Sequence, residues 1–194
     1  STLFPYTTLF RSIKKAIKYL TGLMDDVLTV SRAEARKISF DPKPVDLENL
    51  CSLIVDEAKT LTSENNRLDF NYRLEGKIYE IDEKLIKHIL NNLLSNAIKF
   101  SGERGIVNFE AKEGQGSIIF EVSDNGIGIP EEDQKRIFDP FDRGSNIGAI
   151  RGTGLGMSIV KRSVELHQGT IKLESKNGEG CRFIVELPVQ NILN

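Results

Sequence analysis

The sequence has few of the features that mark membrane, metal-binding or nucleic-acid-binding proteins. Its 194 residues include only two cysteines, Cys51 and Cys181, which lie far apart with no CxxC spacing. This spacing argues against metal ligation and favours two buried thiols in a reducing, cytoplasmic setting. The formal net charge of -2 provides no broad basic surface, which argues against nucleic acid as a partner. No stretch is long and apolar enough to span a bilayer.

The chain opens with STLFPYTTLFRS, which has neither a helical nor a strand period and lacks the cleavage site of a signal peptide. Residues 2–12 instead resemble the in-frame translation of a common sequencing adapter. We therefore expect residues 1–12 to be an artefactual, disordered segment that stands in place of a missing upstream part.

A heptad pattern follows from about Arg11 to Ala35, and an N-terminal helical segment is predicted over residues 13–40. Its stripe alternates spacings of four and three residues and consists of Ile13, Ile17, Leu20, Met24, Val27 and Ser31. The pattern predicts a helix that packs either on its own domain or as a dimerising or hairpin helix. The next segment, FDPKPVD, contains Pro42 and Pro44, which predict a short stiff linker and a domain boundary near residue 40.

Helical and strand patterns alternate after this linker. Helices are predicted for VDLENLCSLIVDEAKTL, with Asp46 as N-cap, for DEKLIKHILNNLLSNAIKF, and for TGLGMSIVKRSVELHQG, which ends at Gly169 in the C′ position. Strands are predicted for RLDFNYRL, KIYEID, GIVNFEAKE, SIIFEVSD, TIKLES and CRFIVELP, the last four as two hairpins. The predicted fold class is α+β, with a mixed sheet layered on helices.

The second predicted helix carries a polar stripe of Asn92, Asn96 and Lys99 at positions i, i+4 and i+7. A separate apolar face consists of Ile86, Ile89, Leu90, Leu93 and Ala97. Asparagine is a mediocre helix former, so two on one stripe require a reason. Amide oxygens can coordinate a hard cation and an ammonium group can neutralise phosphate, which suits a metal–triphosphate ligand. The alternative is a solvated face.

Two glycine-containing segments have patterns that suit ligand binding. In SDNGIGIP, Asp124 can accept a hydrogen bond from an exocyclic amine, and Gly126 and Gly128 permit positive φ and close ligand approach. In RGTGLGMSIV, glycines precede a helix whose free N–H groups can hold phosphate. The second segment is neither a P-loop nor a dinucleotide fingerprint. Alone, the first is also compatible with an ordinary turn.

The segment between them, RIFDPFDRGSNIGAI, suits a lid that closes over a ligand. Phe138 and Phe141 flank Pro140 and lead into a stretch with glycine and serine. The alternative is a surface loop with two anchoring aromatic residues.

Together, in this order and spacing, the four segments resemble the ATP-binding catalytic domain of sensor histidine kinases. HILNNLLSNAIKFS is similar to the family's N box, DNGIGIP to its first glycine box, IFDPFDRG to its F box and RGTGLGMSIV to its second glycine box. NGEGCRFIVELP resembles the closing hairpin, with Cys181 where threonine or serine is more usual. The resemblance covers residues 13–188. It implies a two-layer α/β sandwich, which gyrase, mismatch-repair ATPases and heat-shock chaperones share, so the fold alone does not choose the activity.

The resemblance also implies roles for individual residues. Asn92 and Asn96 match the asparagines that hold Mg²⁺ against the triphosphate of ATP, and Lys99 matches a basic residue near the phosphates. Asp124 matches the aspartate that recognises the adenine amine. The implied ATP-binding set is completed by Gly126 and Gly128, which shape the adenine pocket, and by Phe100, Ile129, Phe138, Phe141, Arg143, Gly152, Thr153, Gly154, Leu155 and Gly156.

One position separates the activities that this fold supports. The relatives that hydrolyse ATP carry a glutamate four residues before the metal-binding asparagine, where it acts as a general base. Here that position is Asn92. The resemblance therefore implies transfer of the γ-phosphoryl group to another acceptor, with slow hydrolysis. The alternatives are a GHKL-type ATPase clamp, an anti-sigma-type serine kinase and an ATP-dependent binding module.

The heptad helix is similar to the second helix of the family's dimerisation and phosphotransfer hairpin. The motif of the first helix, which carries the phosphoacceptor histidine, is absent from this sequence. His88 is interpreted as a solvated or supporting residue, and His167 as a residue that favours a helix C-terminus. We expect the chain to bind ATP and Mg²⁺ without autophosphorylating alone.

The expected partners are the histidine-bearing dimerisation helix of the parent kinase, the receiver domain of a response regulator and a second copy of the chain. The expected location is cytoplasmic, with a parent protein that an absent N-terminal part can anchor in a membrane.

A heptad helix without its hairpin partner presents an uncovered apolar stripe, and such a stripe is an association surface. We predict concentration-dependent self-association through residues 13–31, measured by analytical ultracentrifugation over a wide range of concentrations. A sedimentation profile that stays monomeric at high concentration would contradict this prediction.

Overall fold

The structure is a computed structural model that describes residues 9–10, 13, 17, 40–62, 65–148, 150 and 152–188. The adapter-like segment and the predicted heptad helix lie outside these residues except at Leu9, Phe10, Ile13 and Ile17, as does most of the predicted association surface. One compact unit comprises Ser39–Asn194, and the domain boundary near residue 40 stays a prediction. Within the described ranges, no helix has the length and apolar character needed to cross a membrane.

The predicted segments of the compact unit are confirmed as helices and strands. The helices of the described residues are α1 (Leu47–Lys59), α2 (Glu83–Phe100), α3 (Glu131–Gln134) and α4 (Gly156–Leu166). The strands are β1 (Lys43–Asp46), β2 (Arg67–Arg73), β3 (Ile78–Ile81), β4 (Ile106–Glu113), β5 (Ser117–Asp124), β6 (Thr170–Ser175) and β7 (Cys181–Pro188). Asp46 caps α1 as predicted, since its carboxylate accepts the Asn49 N–H at 2.9 Å.

Five strands form a mixed sheet in the order β2-β4-β5-β7-β6. Strand β2 runs parallel to β4, and the other neighbours are antiparallel. The central strand β5 ends with Asp124, which is paired with Val107 of β4 on one side and Cys181 of β7 on the other. The two-layer α+β fold is therefore confirmed.

Helices α1, α2 and α4 cover one face of this sheet, and the core lies between the two layers. The predicted apolar face of α2 is buried, with Ile86, Ile89 and Leu90 at 0% exposure. Phe109 and Phe120 contribute to the core from the sheet. Each fully buried side chain of this size contributes about 1.5–3 kcal/mol relative to an exposed one, so this face fixes the rotation of α2 about its axis.

A ladder of ion pairs crosses all five strands of the sheet. Its rungs are Arg73–Glu110, Glu110–Lys112, Lys112–Glu121, Glu121–Arg182 and Arg182–Glu174, with N–O distances of 2.7 to 3.3 Å. Partly exposed pairs of this kind contribute little stability individually.

Part of the predicted stiff linker is a strand. Lys43–Asp46 pairs antiparallel with β3 as β1, so FDPKPVD includes the edge of a second, two-stranded sheet. Pro44 is tolerated there because an edge strand can leave one side of its backbone unpaired. The segment thus belongs to the fold that follows it.

The C-terminus of α4 differs from the prediction. The residue in the left-handed conformation is Gln168, with φ 57°, and not Gly169. The Gln168 N–H donates to the Glu165 carbonyl and the Gly169 N–H to the Val164 carbonyl, both at 3.0 Å, which is the Schellman pattern. Glycine is needed at position 169 for space, since a Cβ there would overlap the Glu186 carbonyl oxygen.

This assignment predicts opposite effects for two neighbouring substitutions. Gln168→Gly should raise the free energy of unfolding by about 0.5 kcal/mol, because it relieves a left-handed non-glycine residue. Gly169→Ala should lower it by about 1–3 kcal/mol through overpacking against the backbone of β7. Chemical denaturation measures both values. A loss of stability in Gln168→Gly would contradict the left-handed assignment of residue 168, and an unchanged stability in Gly169→Ala would contradict the close approach to β7.

Candidate functional site

A cavity of about 280 Å³ lies between the polar face of α2, the end of β5 and the segment that leads into α4. Its lining includes most of the predicted site: Asn92, Asn96, Lys99, Phe100, Asp124, Gly128, Ile129, Arg143, Gly152, Thr153, Gly154 and Gly156. The apolar face of α2 is buried against the sheet, and the polar stripe beside that face lines the cavity.

The two asparagines of α2 face the start of α4. The Asn92 amide nitrogen donates to the His88 carbonyl at 2.8 Å, which leaves its amide oxygen on the side of Gly156. A Cβ on Gly156 would lie 2.5 Å from that oxygen, so glycine allows the helix end to approach. The Asn96 amide nitrogen lies 3.6 Å from the Met157 sulfur. The side chains of both asparagines are thus held beside the N-terminus of α4, with the Asn92 oxygen and the Asn96 nitrogen nearest to it.

Two cations lie at this same end of the cavity. Burial and, to a smaller extent, the Arg143 charge lower the pKa of Lys99 below its ordinary value. The Lys99 Nζ atom is 4.6 Å from the centre of the Phe100 ring and would be 3.0 Å from a Cβ on Gly152. The Arg143 guanidinium donates to the Ile150 carbonyl at 2.6 Å. Two like charges near each other, one half-buried on Lys99 and one exposed on Arg143, favour a polyanionic ligand, which would relieve their repulsion.

A carboxylate occupies another part of the cavity wall. Burial raises the pKa of Asp124, while the N–H groups of Gly126 and Cys181 act in the opposite direction. Its Oδ1 atom accepts the Gly126 N–H at 2.8 Å. The Asp124 carboxylate is therefore a hydrogen-bond acceptor on the cavity wall, suited to an amine donor.

The two glycines after β5 allow close packing between backbone segments. Gly126 does not line the cavity, and a Cβ there would overlap the Phe100 carbonyl oxygen at the end of α2. Gly128 has φ 65°, and a Cβ there would overlap the Lys176 carbonyl oxygen. Close backbone packing, rather than ligand approach alone, requires glycine at both positions.

Three other predicted residues lie outside the lining. Phe138 packs against the core, and Leu155 is 1% exposed. Phe141 is 68% exposed with φ 65°, and its N–H donates to the Gly154 carbonyl at 2.9 Å. Phe138 and Leu155 thus pack beneath the cavity lining, and Phe141 lies on the surface outside it.

Other residues of the lining were missed by the sequence analysis. They are Ser95, Ala97, Ile127, Ile137, Asp142, Gly144, Asn146, Ile147, Met157, Cys181 and Phe183. Cys181 and Phe183 reach the cavity because β7 pairs with β5, and this pairing over a long sequence separation leaves no local signal. Asp142, Gly144 and Asn146 lie within the predicted lid, where the segment itself was the available signal.

Comparisons with known proteins agree with this geometry. The model of the family described as histidine kinase-, DNA gyrase B- and HSP90-like ATPase matches residues 81–191, more than half of the chain. The circadian input-output histidine kinase CikA of Synechococcus elongatus is 36% identical over 97% of this chain and 26% of its own length. The sensor histidine kinase WalK of Bacillus subtilis is 32% identical over 86% of this chain and 28% of its own length. The chain thus spans about a quarter of the length of these relatives.

Solved structures give the same result. Full-length ShkA in complex with AMPPNP matches with a TM-score of 0.79 and 26% identity, over 97% of this chain and 40% of ShkA. The nucleotide-free catalytic domain of the histidine kinase ThkA matches with a TM-score of 0.64 and 29% identity, over 78% of this chain and 96% of the domain.

The lowered pKa of Lys99 predicts a pH-dependent affinity for ATP. An anion stabilises the charged lysine, so binding should raise the pKa of Lys99 and take up protons. The affinity should therefore be level where Lys99 is charged in both states, and should fall as the pH rises through the lowered pKa of the free protein. Calorimetry from pH 7 to pH 10 in two buffers of different ionisation enthalpy would measure this.

The variants Lys99→Met and Lys135→Met complete this experiment. Lys99→Met should bind more weakly at neutral pH and lose the alkaline fall, whereas Lys135→Met removes an exposed lysine outside the lining and should keep it. An unchanged alkaline fall in Lys99→Met would assign the titration to another group.

Proposed function

This chain belongs to the family of histidine kinase-, DNA gyrase B- and HSP90-like ATPases and carries the ATP-binding catalytic domain of a sensor histidine kinase, and we propose that it transfers the γ-phosphoryl group of Mg-ATP to a histidine on another segment or chain. The observation that carries this proposal is the cavity in which Asn92, Asn96 and Lys99 of α2 face the start of α4. Phosphoryl transfer depends mainly on positioning and charge stabilisation, which these groups provide.

The distribution of charge supports one orientation of the nucleotide. Lys99 and Arg143 suit the triphosphate, and the α4 N-terminus adds N–H groups without a side-chain cap. The Asp124 carboxylate suits the exocyclic amine of adenine, which it would bind as an acceptor.

Asn92 and Asn96 are the residues that would hold Mg²⁺. Their amide oxygens are hard ligands of the type that this ion takes, and phosphate oxygens and water would complete its coordination. Among the described residues, no group of three histidine, cysteine, aspartate or glutamate side chains forms an alternative metal site. When bound, Mg²⁺ would neutralise charge on the phosphates during transfer.

The identity of residue 92 favours transfer over hydrolysis. The Asn92 side chain is a carboxamide, which is too weakly basic to take a proton from water, and its nitrogen donates to the His88 carbonyl. Within the lining, the carboxylates are Asp124 and Asp142, and neither belongs to α2. An incoming acceptor would therefore have to supply the nucleophile.

A histidine on another segment is the acceptor that fits this proposal. His167 is 5% exposed, with its Nδ1 atom 2.9 Å from the Ser163 carbonyl oxygen and its Nε2 atom accepting the Asp82 N–H at 3.4 Å. Burial lowers its pKa. Both ring nitrogens are thus engaged away from the cavity lining. The proposed partners are a histidine-bearing dimerisation helix and a response-regulator receiver domain.

Calorimetric titration of the full chain with ATP, with and without Mg²⁺, tests the site. Asn96→Ala should weaken Mg-ATP binding by about tenfold or more, corresponding to about 1.4 kcal/mol, and should reduce the effect of the metal. Asn91→Ala is the matched control, because Asn91 is exposed on the same helix and outside the lining. Absence of binding by the folded wild-type chain would contradict the proposed function.

Transfer is tested by adding a histidine-bearing helix from a sensor kinase in trans, with ATP labelled at the γ-phosphate. A kinase would label that helix and leave the chain itself unlabelled when alone. Nucleotide binding without labelling of any supplied helix would favour a binding module instead.

A further inference from the structure

A buried carboxylate behind the cavity has no role in the site described so far. Asp133 of α3 is 2% exposed and does not line the cavity. Its Oδ2 atom accepts the N–H and the hydroxyl of Ser145, both at 2.7 Å, and its Oδ1 atom accepts from Arg136 at 3.1 Å. A buried charge is stable only when it is paired and hydrogen-bonded, so this arrangement holds Ser145 firmly.

Ser145 is the end of a short segment that carries the second cation of the cavity. Residues 142–144 line the cavity between two anchors. On one side, the Phe141 N–H donates to the Gly154 carbonyl at 2.9 Å. On the other side, Asp133 holds Ser145, and the Asn146 amide donates to the Gly128 carbonyl at 3.0 Å. The segment of residues 142–144, which includes Arg143, is therefore held by hydrogen bonds on both sides.

The same cluster also determines which charges Arg143 meets. Arg136 contacts both Asp133, at 3.1 Å, and Asp142, at 3.4 Å. Asp142 is adjacent to Arg143 in sequence and would be a local competitor for its guanidinium. Asp142 is instead paired with Arg136, and Arg143 donates to the neutral Ile150 carbonyl, so neither of these contacts neutralises the Arg143 charge.

We propose that Asp133 is a positioning residue that holds Arg143 at the phosphate end of the cavity, an inference that rests on the proposed binding of ATP there. Asp133 acts through Ser145 and Arg136 and contacts no nucleotide itself. Its removal should weaken the binding of the phosphates and spare that of the nucleoside.

The test compares ATP with adenosine as calorimetric ligands of the full chain. Asp133→Asn keeps the size of the side chain and removes its charge, and it should weaken ATP binding by about tenfold while changing adenosine binding less than about twofold. Glu132→Gln is the matched control, since it removes one charge from the adjacent exposed position and should leave both affinities unchanged. Equal weakening of both ligands would overturn the proposal, because it would indicate a general disturbance of the cavity.

A double-mutant cycle with Arg143→Gln tests the path of the effect. If Asp133 acts through Arg143, then Asp133→Asn with Arg143→Gln should bind ATP no more weakly than Arg143→Gln alone. Additive losses would overturn the proposal.

If Asp133→Asn fails to fold, Ser145→Ala replaces it in both experiments. Ser145→Ala should weaken ATP binding by about threefold through loss of one hydrogen bond. Unchanged ATP binding by Ser145→Ala would then overturn the proposal. Failure of the wild-type chain to bind ATP would instead overturn the proposed function itself.

Discussion

The rest of this structure depends on one helix that is apolar on one side and polar on the other. Ile86, Ile89 and Leu90 of α2 are completely buried against the sheet. The same helix presents Asn92, Asn96 and Lys99 to the cavity. A rotation of α2 that moved this polar stripe would expose core side chains, at about 1.5–3 kcal/mol each. The burial that stabilises the fold therefore also orients the proposed ligands of the metal and the phosphates.

The cavity has one wall made of closely packed backbone and another held by side-chain hydrogen bonds. After β5, the chain passes so close to the Phe100 and Lys176 carbonyl groups that only glycine fits at positions 126 and 128. The opposite wall is attached through Asp133 and Asn146. The two walls therefore differ in what fixes them, since one is fixed by packed backbone and the other by hydrogen bonds to the Asp133 and Asn146 side chains. The lid and the adenine pocket stay predictions.

The cavity has positive charges in one region and a carboxylate in another. Lys99 and Arg143 lie near each other at the end occupied by α4, and their proximity contributes to the lowered pKa of Lys99. Asp124 contributes a carboxylate at the end of the central strand β5, where burial raises its pKa. A ligand with an amine at one end and several negative charges at the other satisfies both regions. ATP, the proposed ligand, has this polarity.

The sequence by itself determined the local features of this protein. The periodicity of α2 predicted both its buried face and its polar stripe, because side chains three and four residues apart share a face whatever surrounds the helix. Asp46 as N-cap and the paired strands β4 and β5 were predicted for the same reason, since each depends on neighbours in sequence. The tertiary structure alone decided features that join distant segments. Cys181 reaches the cavity through the pairing of β7 with β5, and Asp133 reaches Ser145 through the path of the segment between α3 and α4. Gln168 has the left-handed position, and the adjacent glycine lies against the backbone of β7, a contact that the local sequence does not encode.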